Sequence, residues 1–315
     1  MAAPFYDYNA RDLKPWHLHA TYQFYDEKGN PTEQGTYEYW WASPQVNRST
    51  WSRPGATHTD WGTVDGKHAY EETGERLNFF EYKLRSAILS PLPSEAELDP
   101  KKGRLDRRIV TMEGSKIPCI MLIPNMSEGT LAQTVPLGIF PTYCFDPRLP
   151  VLLFSNSFGT LTTEFGKVVK VQNRFLPKEI VFLEGTRRIL SATIDKISGL
   201  DPGEAALTPS AGAHLPRQDK VALSAGISTG MLINKVVPVY PEDAKRARTS
   251  GRVILQALIG RDGRIHDLQV VSAPLPSLAG SALWAVSRWQ YKPYLLNDEP
   301  VEVETTINVI FSLSQ

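Results

Sequence analysis

The sequence lacks the features that identify most enzymes and nucleic-acid-binding proteins. Its 34 Lys and Arg residues balance its 34 Asp and Glu residues, and no basic stripe suited to phosphates occurs. Its glycines are not clustered between a strand and a helix, as a phosphate-binding loop requires. There is no Gly-x-Ser-x-Gly motif, and no serine, histidine and aspartate follow a spacing typical of nucleophilic catalysis. We therefore expect no catalytic residue, no cofactor and no nucleic-acid partner, and we predict that the protein is not an enzyme.

Long hydrophobic runs are also missing. The most apolar stretches, such as residues 150–154, are far shorter than the ~20 residues that a membrane-spanning helix needs. The first residues contain neither a charged leader nor an apolar signal core. The segment is expected to be either a cytoplasmic start or a mature segment whose signal has been removed.

Cysteine is scarce, with only Cys119 and Cys144 present. Both lie in segments that are expected to be extended, beside apolar or aromatic residues. A disulfide between them would stabilise the fold by roughly 3 kcal/mol and would require an oxidising compartment. Two buried free thiols are the alternative, because cysteine is among the most buried residue types.

Histidine is the one residue type that raises the question of a metal site. On a strand, His17 and His19 would point to the same face, and His58 and His68 follow later. No cysteine or carboxylate cluster supplies the three or four converging ligands that a metal needs. We therefore predict histidines of an ordinary sheet and no metal site.

The first 200 residues are rich in strand signals and aromatic side chains. Residues 13–70 alternate strand and turn signals, residues 75–89 change to helical periodicity, and strand signals resume from residue 108 to residue 197. This pattern predicts a large antiparallel sheet with a helix against it. The aromatic run at residues 37–41 either packs in the core or stacks on a sugar or lipid.

Composition changes after residue 200. Residues 201–230 gain Pro, Gly, Ala and Ser and lose aromatic side chains, which is typical of a linker. We therefore predict a first domain at 1–200, a linker at 201–230 and a second domain at 231–315.

The second domain has sharp periodicity and is predicted to be a small α+β domain with two helices and a three-stranded antiparallel sheet. Leu278, Ala282, Ala285, Val286 and Trp289 would form one apolar stripe of its second helix. The predicted elements are a short helix at 242–248, a hairpin of strands 252–259 and 265–271, a helix at about 278–289 and a long final strand at 301–313.

Several motifs occur in order along this domain. They are Tyr240-Pro241 with Ala244, Gly251-x-Val253, Asp262-Gly263, Ala285-Val286-x-x-Trp289-x-Tyr291-x-Pro293 and Pro300-Val301. Taken together, they resemble the TonB C-terminal family. The resemblance covers about a quarter of the chain and implies a periplasmic domain that grips the TonB box, a short peptide of outer-membrane TonB-dependent transporters. It also favours pairing of the two cysteines, because the periplasm is oxidising.

The chain departs from the full TonB pattern in two respects. It shows no N-terminal membrane helix that would engage an inner-membrane motor, and it shows no long Pro-Lys or Pro-Glu spacer. A natural precursor that carries a signal peptide or a membrane anchor would supply the missing part, and the mature chain is expected in the periplasm.

The first 200 residues resemble, in strand density and aromatic content, the LolA and LppX lipoprotein carriers. The helix predicted after Tyr70 adds to this resemblance. It implies a curved half-barrel sheet over an apolar cavity that holds a lipid or lipoprotein acyl chain. Two functions follow as hypotheses: a TonB-like peptide binder with a ligand-sensing or docking domain, or a lipid or lipoprotein carrier whose TonB-like domain serves only for docking.

The final strand is the predicted peptide site. It is long and last in the chain, so one edge can lack a neighbour and accept a peptide by β-strand addition. Glu302 and Glu304 would limit self-association. The alternatives are that the edge pairs with a second copy of the chain or is covered by residues 201–230. The predicted site residues are Val301, Glu302, Val303, Glu304, Thr305, Thr306, Ile307, Asn308 and Val309.

Overall fold

The computed structural model divides the chain into two compact units. The first unit contains Met1–Pro93, Phe145–Ser155 and Thr162–Arg217, and the second contains Ser94–Cys144, Asn156–Leu161 and Gln218–Gln315. The predicted consecutive boundaries at 1–200, 201–230 and 231–315 stay a prediction. The structure describes residues 2–63, 68–101, 103–124, 137–156, 161–200, 207–214, 220–224, 231–296 and 299–313.

Strands outnumber helices in the part of the chain that the structure describes, and a short 3-10 helix at Ala3–Phe5 precedes them. In chain order the elements are β1 (Trp16–Tyr25), β2 (Pro31–Trp41), β3 (Asn47–Arg53), β4 (Ala56–Gly62), β5 (His68–Thr73), α1 (Phe79–Leu89), β6 (Gly103–Met112), β7 (Ser115–Pro124), β8 (Thr142–Phe145), β9 (Leu152–Asn156), β10 (Leu161–Val171), β11 (Arg174–Glu184), β12 (Arg187–Gly199), β13 (Lys220–Leu223), β14 (Leu232–Asn234), α2 (Glu242–Arg246), β15 (Gly251–Ile259), β16 (Ile265–Ser272), α3 (Pro276–Val286), β17 (Gln290–Tyr291), β18 (Tyr294–Leu296) and β19 (Glu299–Phe311).

The first unit is built on a large sheet with the strand order β5-β4-β3-β2-β1-β12-β11-β10-β9. The pairs from β5 to β11 are antiparallel. Side chains alternate between the two faces, and the inward positions of β1 are fully or almost fully buried at Trp16, Leu18, Ala20 and Tyr22. The large antiparallel sheet with few helices agrees with the prediction.

Helix α1 packs on this sheet, and side chains cap its N-terminus. Its N-cap residue Asn78 accepts hydrogen bonds from the backbone N–H groups of Phe80 and Glu81, while the Glu81 carboxylate accepts one from the N–H of Asn78. This reciprocal arrangement satisfies donors that a helix start leaves open. The ring of Phe80 contacts that of Phe182 on β11 at a centroid distance of 6.0 Å.

The aromatic run of β2 is divided between the two faces of the sheet. Tyr37, Tyr39 and Trp41 are buried, so their inward rings pack in the core. Trp40 points the other way, is half-buried, and stacks on His17 at a centroid distance of 4.8 Å. Three of the four rings therefore serve core packing.

The second unit contains strands in the order β8-β7-β6, together with a 5-stranded sheet. In that sheet the order is β13-β19-β15-β16, and β18 also pairs with β19, while β14 and β17 form a separate small pair. The predicted hairpin is present as β15 and β16. The prediction of three strands is wrong, because β13 and β18 add backbone hydrogen-bond partners to β19.

The helices of this sheet differ from their predicted bounds. Helix α3 ends at Val286, so Trp289 lies beyond it rather than on its apolar stripe. Leu278, Ala282 and Val286 are buried as predicted. Among the described residues, no helix is long and apolar enough to cross a membrane.

Candidate functional site

The final strand, β19, has one buried face and one open face. A strand places successive side chains on opposite sides of its sheet, so the alternation in the sequence decides which residues lie inward. The outward residues Glu302, Glu304 and Thr306 are half-buried, and Asn308 is exposed. The inward and buried residues are Val301, Val303, Thr305, Ile307, Val309 and Phe311.

One edge of β19 is paired with β15 from Val303 to Phe311. The antiparallel register extends from Gly251 opposite Phe311 to Ile259 opposite Val303, without an irregularity. The Thr306 hydroxyl also donates a hydrogen bond to the Gln256 side-chain oxygen at 3.4 Å. This pairing holds the strand in a single register and leaves its other edge as the candidate binding surface.

The other edge of β19 is partly covered by β13. Strand β13 pairs in parallel with β19, with Lys220 opposite Glu302 and Leu223 opposite Thr305. The expectation of a free edge is therefore wrong from Glu302 to Thr305, where part of the predicted linker supplies the cover. Val301 lies opposite Tyr294 of β18. For residues 306–309, no described residue is paired with β19 on the β13 side.

The hairpin that supports β19 is fixed at Asp262 and Gly263. Gly263 has a φ of +74°, and a Cβ there would lie 2.0 Å from the carbonyl oxygen of Tyr291, so only glycine fits without a shift. The N–H of Tyr291 donates to the Gly263 carbonyl at 2.8 Å. Burial alone would raise the pKa of Asp262, but its hydrogen bond with His266 and the His266 charge lower that pKa overall.

The segment before α2 is held by two side-chain donors. The Trp289 indole N–H donates to the carbonyl oxygen of Val236 at 2.8 Å, and the Tyr240 hydroxyl donates to the carbonyl of Thr249 at 2.7 Å. Several residues that carry the family resemblance thus position the backbone around the sheet.

Cys119 and Cys144 form a disulfide bond. They lie directly opposite each other on the antiparallel strands β7 and β8, with their Cα atoms 4.1 Å apart. That separation is well below the ~7 Å at which a bridge would need backbone movement. Both side chains are buried.

The histidines of the first unit have acidic neighbours. His17 Nε2 lies 2.9 Å from Glu38, and His19 Nδ1 lies 3.2 Å from Asp195. His58 Nε2 lies 3.0 Å from Asp60, and the side chain of His68 is exposed. Across the described ranges, no group of three or more His, Cys, Asp or Glu residues is placed to hold a metal ion.

A family model matches the C-terminal part of the chain, whereas the similar solved structures cover about two thirds of it. Residues 236–313 match the family model of the Gram-negative bacterial TonB protein C-terminal. No curated protein matches the chain. Solved structures similar to this chain include a domain of a putative outer membrane lipoprotein-sorting protein from Vibrio parahaemolyticus, with 8% identity, a TM-score of 0.36 and coverage of 62% of this chain and 90% of that chain.

Two further structures have comparable similarity. A DUF1329 family protein from Desulfovibrio piger has 9% identity, a TM-score of 0.37 and coverage of 62% of this chain and 92% of its own. A LolA superfamily protein from Nitrosomonas europaea has 8% identity, a TM-score of 0.39 and coverage of 66% and 96%. Residues 236–313 thus resemble the TonB C-terminal family, as the motifs predicted, and the chain is similar to structures of the LolA superfamily.

Proposed function

We propose that residues 231–315 bind an extended peptide of a partner protein in the periplasm, by adding it as a strand to the β13-side edge of β19. The chain acts as a binding module and performs no catalysis. The first unit supplies a ligand-sensing or docking domain. The similarity of residues 236–313 to the TonB C-terminal family supports the TonB box of an outer-membrane TonB-dependent transporter as the peptide.

The observation that carries this proposal is the pairing of β13. A short segment from a distant part of the sequence already occupies this edge in parallel, opposite Glu302 to Thr305. Backbone N–H and C=O groups on this edge are thus suited to an incoming strand. The adjoining residues 306–309 extend the same edge beyond β13.

The side chains of β13 indicate what kind of peptide fits. Val221 and Leu223 are half-buried, whereas Ala222 between them is exposed. A bound peptide would therefore present apolar side chains at alternate positions. It would occupy residues 301–309 and replace β13 where the two overlap.

The strength of such binding follows from its small number of contacts. Each backbone hydrogen bond contributes about 0.5–1.5 kcal/mol net, and association has an entropic cost that offsets several of them. Displacing β13 costs additional free energy, which lowers the net affinity of the peptide. Binding is therefore weak and reversible, which suits an adaptor that engages and releases transporters.

An amide chemical-shift titration of the full chain with TonB-box peptides tests the proposal. We expect the largest shifts at residues 301–309, with loss of the β13 pairing. Shifts confined to the helices or to the first unit, with residues 301–309 unmoved, would contradict it.

A variant pair adds a second test through β13. Replacing Val221 and Leu223 by serine removes apolar contacts that hold β13 and should strengthen peptide binding about tenfold, equivalent to about 1.4 kcal/mol. Ala222→Ser is the matched control, since that side chain is exposed on the same strand, and should leave the affinity unchanged. Equal affinities for all three proteins would show that β13 does not compete with the peptide.

The alternative function, a lipid or lipoprotein carrier, would need an open apolar cavity over the sheet of the first unit. The inward side chains of Tyr22, Tyr37, Trp41 and Trp51 are at most 1% exposed, so the aromatic face that would line such a cavity is filled by the protein itself. We therefore place peptide binding first. A photoactivatable fatty acid that cross-links to residues of the first unit in the full chain, as mapped by mass spectrometry, would reverse that order.

A further inference from the structure

A cleft of about 820 Å³ lies within the second unit, away from the predicted peptide edge. Strands β6 and β7 contribute Leu105 and Leu122, the segment before β8 contributes Phe140, and β16 and α3 contribute Val271 and Leu283. This volume is within the ~300–1,000 Å³ typical of sites for small molecules.

The cleft contains large apolar side chains that remain in contact with solvent. Leu98 is 39% exposed, Leu105 is 46% exposed and Val271 is 47% exposed, and all three line the cleft. Single exposed apolar residues are common, but several that converge on one concave surface are typical of a binding site. An apolar ligand would remove their surface from water, which is favourable by about 25 cal/mol per Å².

The polar side chains of the lining are few, and most of them already have partners. The Glu97 carboxylate accepts hydrogen bonds from the N–H and the hydroxyl of Ser94, at 2.8 and 2.7 Å. The Gln269 amide donates to Asp267 at 3.3 Å. The exposed Arg104 guanidinium has no hydrogen bond or ion pair with any residue that the structure describes, so it is the group available to a ligand anion.

We propose that this cleft binds a single-chain amphiphile, with the alkyl chain against the aliphatic lining and an anionic head group on Arg104. Aliphatic side chains offer no directional hydrogen bonds, so they favour a hydrocarbon chain over a sugar or a peptide. One guanidinium matches one carboxylate or phosphate. A free fatty acid and an anionic lysophospholipid share this chemistry.

Fluorescence titration of the delipidated full chain with dansyl-labelled undecanoic acid tests the proposal. We expect saturable binding with a rise in dansyl fluorescence. Competition with palmitic acid and with lysophosphatidylglycerol then distinguishes the two sources of ligand. Displacement by either compound supports the site, and displacement by neither overturns it.

Two pairs of variants test whether the dansyl probe binds in this cleft. Val271→Trp should fill part of the cleft and weaken probe binding at least tenfold, whereas Ile310→Trp, at a residue that is 74% exposed on β19 and outside the lining, should not. Arg104→Gln should weaken binding about fivefold, and Arg107→Gln, an exposed arginine of the same strand that does not line the cleft, should leave it unchanged.

The arginine pair keeps the test valid if Val271→Trp fails to fold, because both arginines are exposed. If Arg104→Gln and Arg107→Gln weaken binding equally, the anionic probe is attracted to positive charge in general. If neither variant weakens binding, the proposed head-group contact is excluded. Either result overturns the assignment. The TonB-box titration is a separate measurement on residues 301–309, so failure of one proposal leaves the other standing.

Discussion

The buried carboxylate of Glu81 connects the start of α1 to two strands of the first unit. It accepts a hydrogen bond from the Tyr22 hydroxyl at 2.6 Å and one from the N–H of Asn78 at 2.8 Å, and Arg53 Nε lies 3.4 Å away. Burial, together with the Glu81 charge, raises the pKa of Tyr22. The tyrosine therefore remains a hydrogen-bond donor throughout the neutral range.

Replacing Glu81 by alanine should lower the free energy of unfolding by about 3 kcal/mol, because it leaves buried donors and the Arg53 charge without this acceptor. Urea denaturation of the full chain measures the loss. Glu27→Ala, at an exposed turn position of the same unit, is the control and should change stability little. Equal midpoints for the two variants would show that Glu81 does not hold α1 in place.

His58 is predicted to make stability depend on pH. Burial alone would lower its pKa, but hydrogen bonds and charges of Asp60 and Glu72 raise that pKa above 6.5 overall. A raised pKa in the folded state stabilises the protein fully below the unfolded pKa, and this contribution is lost as pH rises through the folded pKa.

The unfolding free energy should therefore fall as pH rises from about 6 to about 8, relative to that of His58→Gln, which lacks the titrating group. Chemical denaturation at both pH values measures the difference. His68→Gln serves as the control, since His68 is exposed, and should keep the pH dependence of the unchanged protein. A pH dependence that persists in His58→Gln would assign it to another group.

At the scale of elements, Trp289 contacts the extended segment before α2 and does not lie on the apolar stripe of α3, where the sequence predicted it. It follows α3, its ring lies 6.5 Å from that of Tyr291 between centroids, and the Lys235 ammonium lies 5.5 Å from the ring centre. With the hydrogen bond to Val236, these contacts attach the extended segment before α2 to the end of α3.

Trp289→Ala should cost roughly 3–5 kcal/mol, as deletions of large buried aromatics do. Trp289→Phe keeps an aromatic ring but removes the indole N–H, and it should cost less than the alanine change, with about 1 kcal/mol from the lost hydrogen bond. Trp284→Ala is the matched control, because Trp284 is 43% exposed on α3. Thermal melting of the full chain measures all three, and a Trp289→Ala midpoint no lower than that of Trp284→Ala would contradict the anchoring role.

At the scale of the whole molecule, the disulfide connects residues that are 25 positions apart in sequence. Replacing Cys119 and Cys144 together by alanine should lower the unfolding free energy by roughly 3 kcal/mol, because the unfolded chain gains conformational freedom. Denaturation with and without dithiothreitol measures this directly. The reductant should destabilise the unchanged protein and leave the double variant unaffected. A reductant effect of the same size on both proteins would show that the bridge is not its cause.

The compact units of the whole molecule do not follow chain order. Ser94–Cys144 belongs to the same unit as Gln218–Gln315, and the composition of the chain does not indicate this grouping. Composition reports where a chain is locally flexible or polar, whereas a compact unit is defined by contacts between distant segments. The cleft at Leu105, Leu122 and Val271 follows from such contacts and has no local signal.

Local pattern was enough for some features of this protein. The alternation of β19 determined which of its side chains lie inward, because successive strand residues point to opposite faces. The glycine of Asp262-Gly263 indicated the turn of the β15–β16 hairpin, and the ordered motifs up to Pro300-Val301 identified the resemblance to the TonB C-terminal family.

Only the tertiary structure decided which strands pair with the edges of β19. The four residues of β13 lie in a segment with linker composition, and nothing in their sequence states that they pair with Glu302 to Thr305. Helical periodicity likewise did not indicate that α3 ends at Val286, or that the Trp289 indole beyond it donates a hydrogen bond to the Val236 carbonyl. Side-chain period is a local property of the chain, but strand partners are chosen by backbone hydrogen bonds between segments that are far apart in sequence.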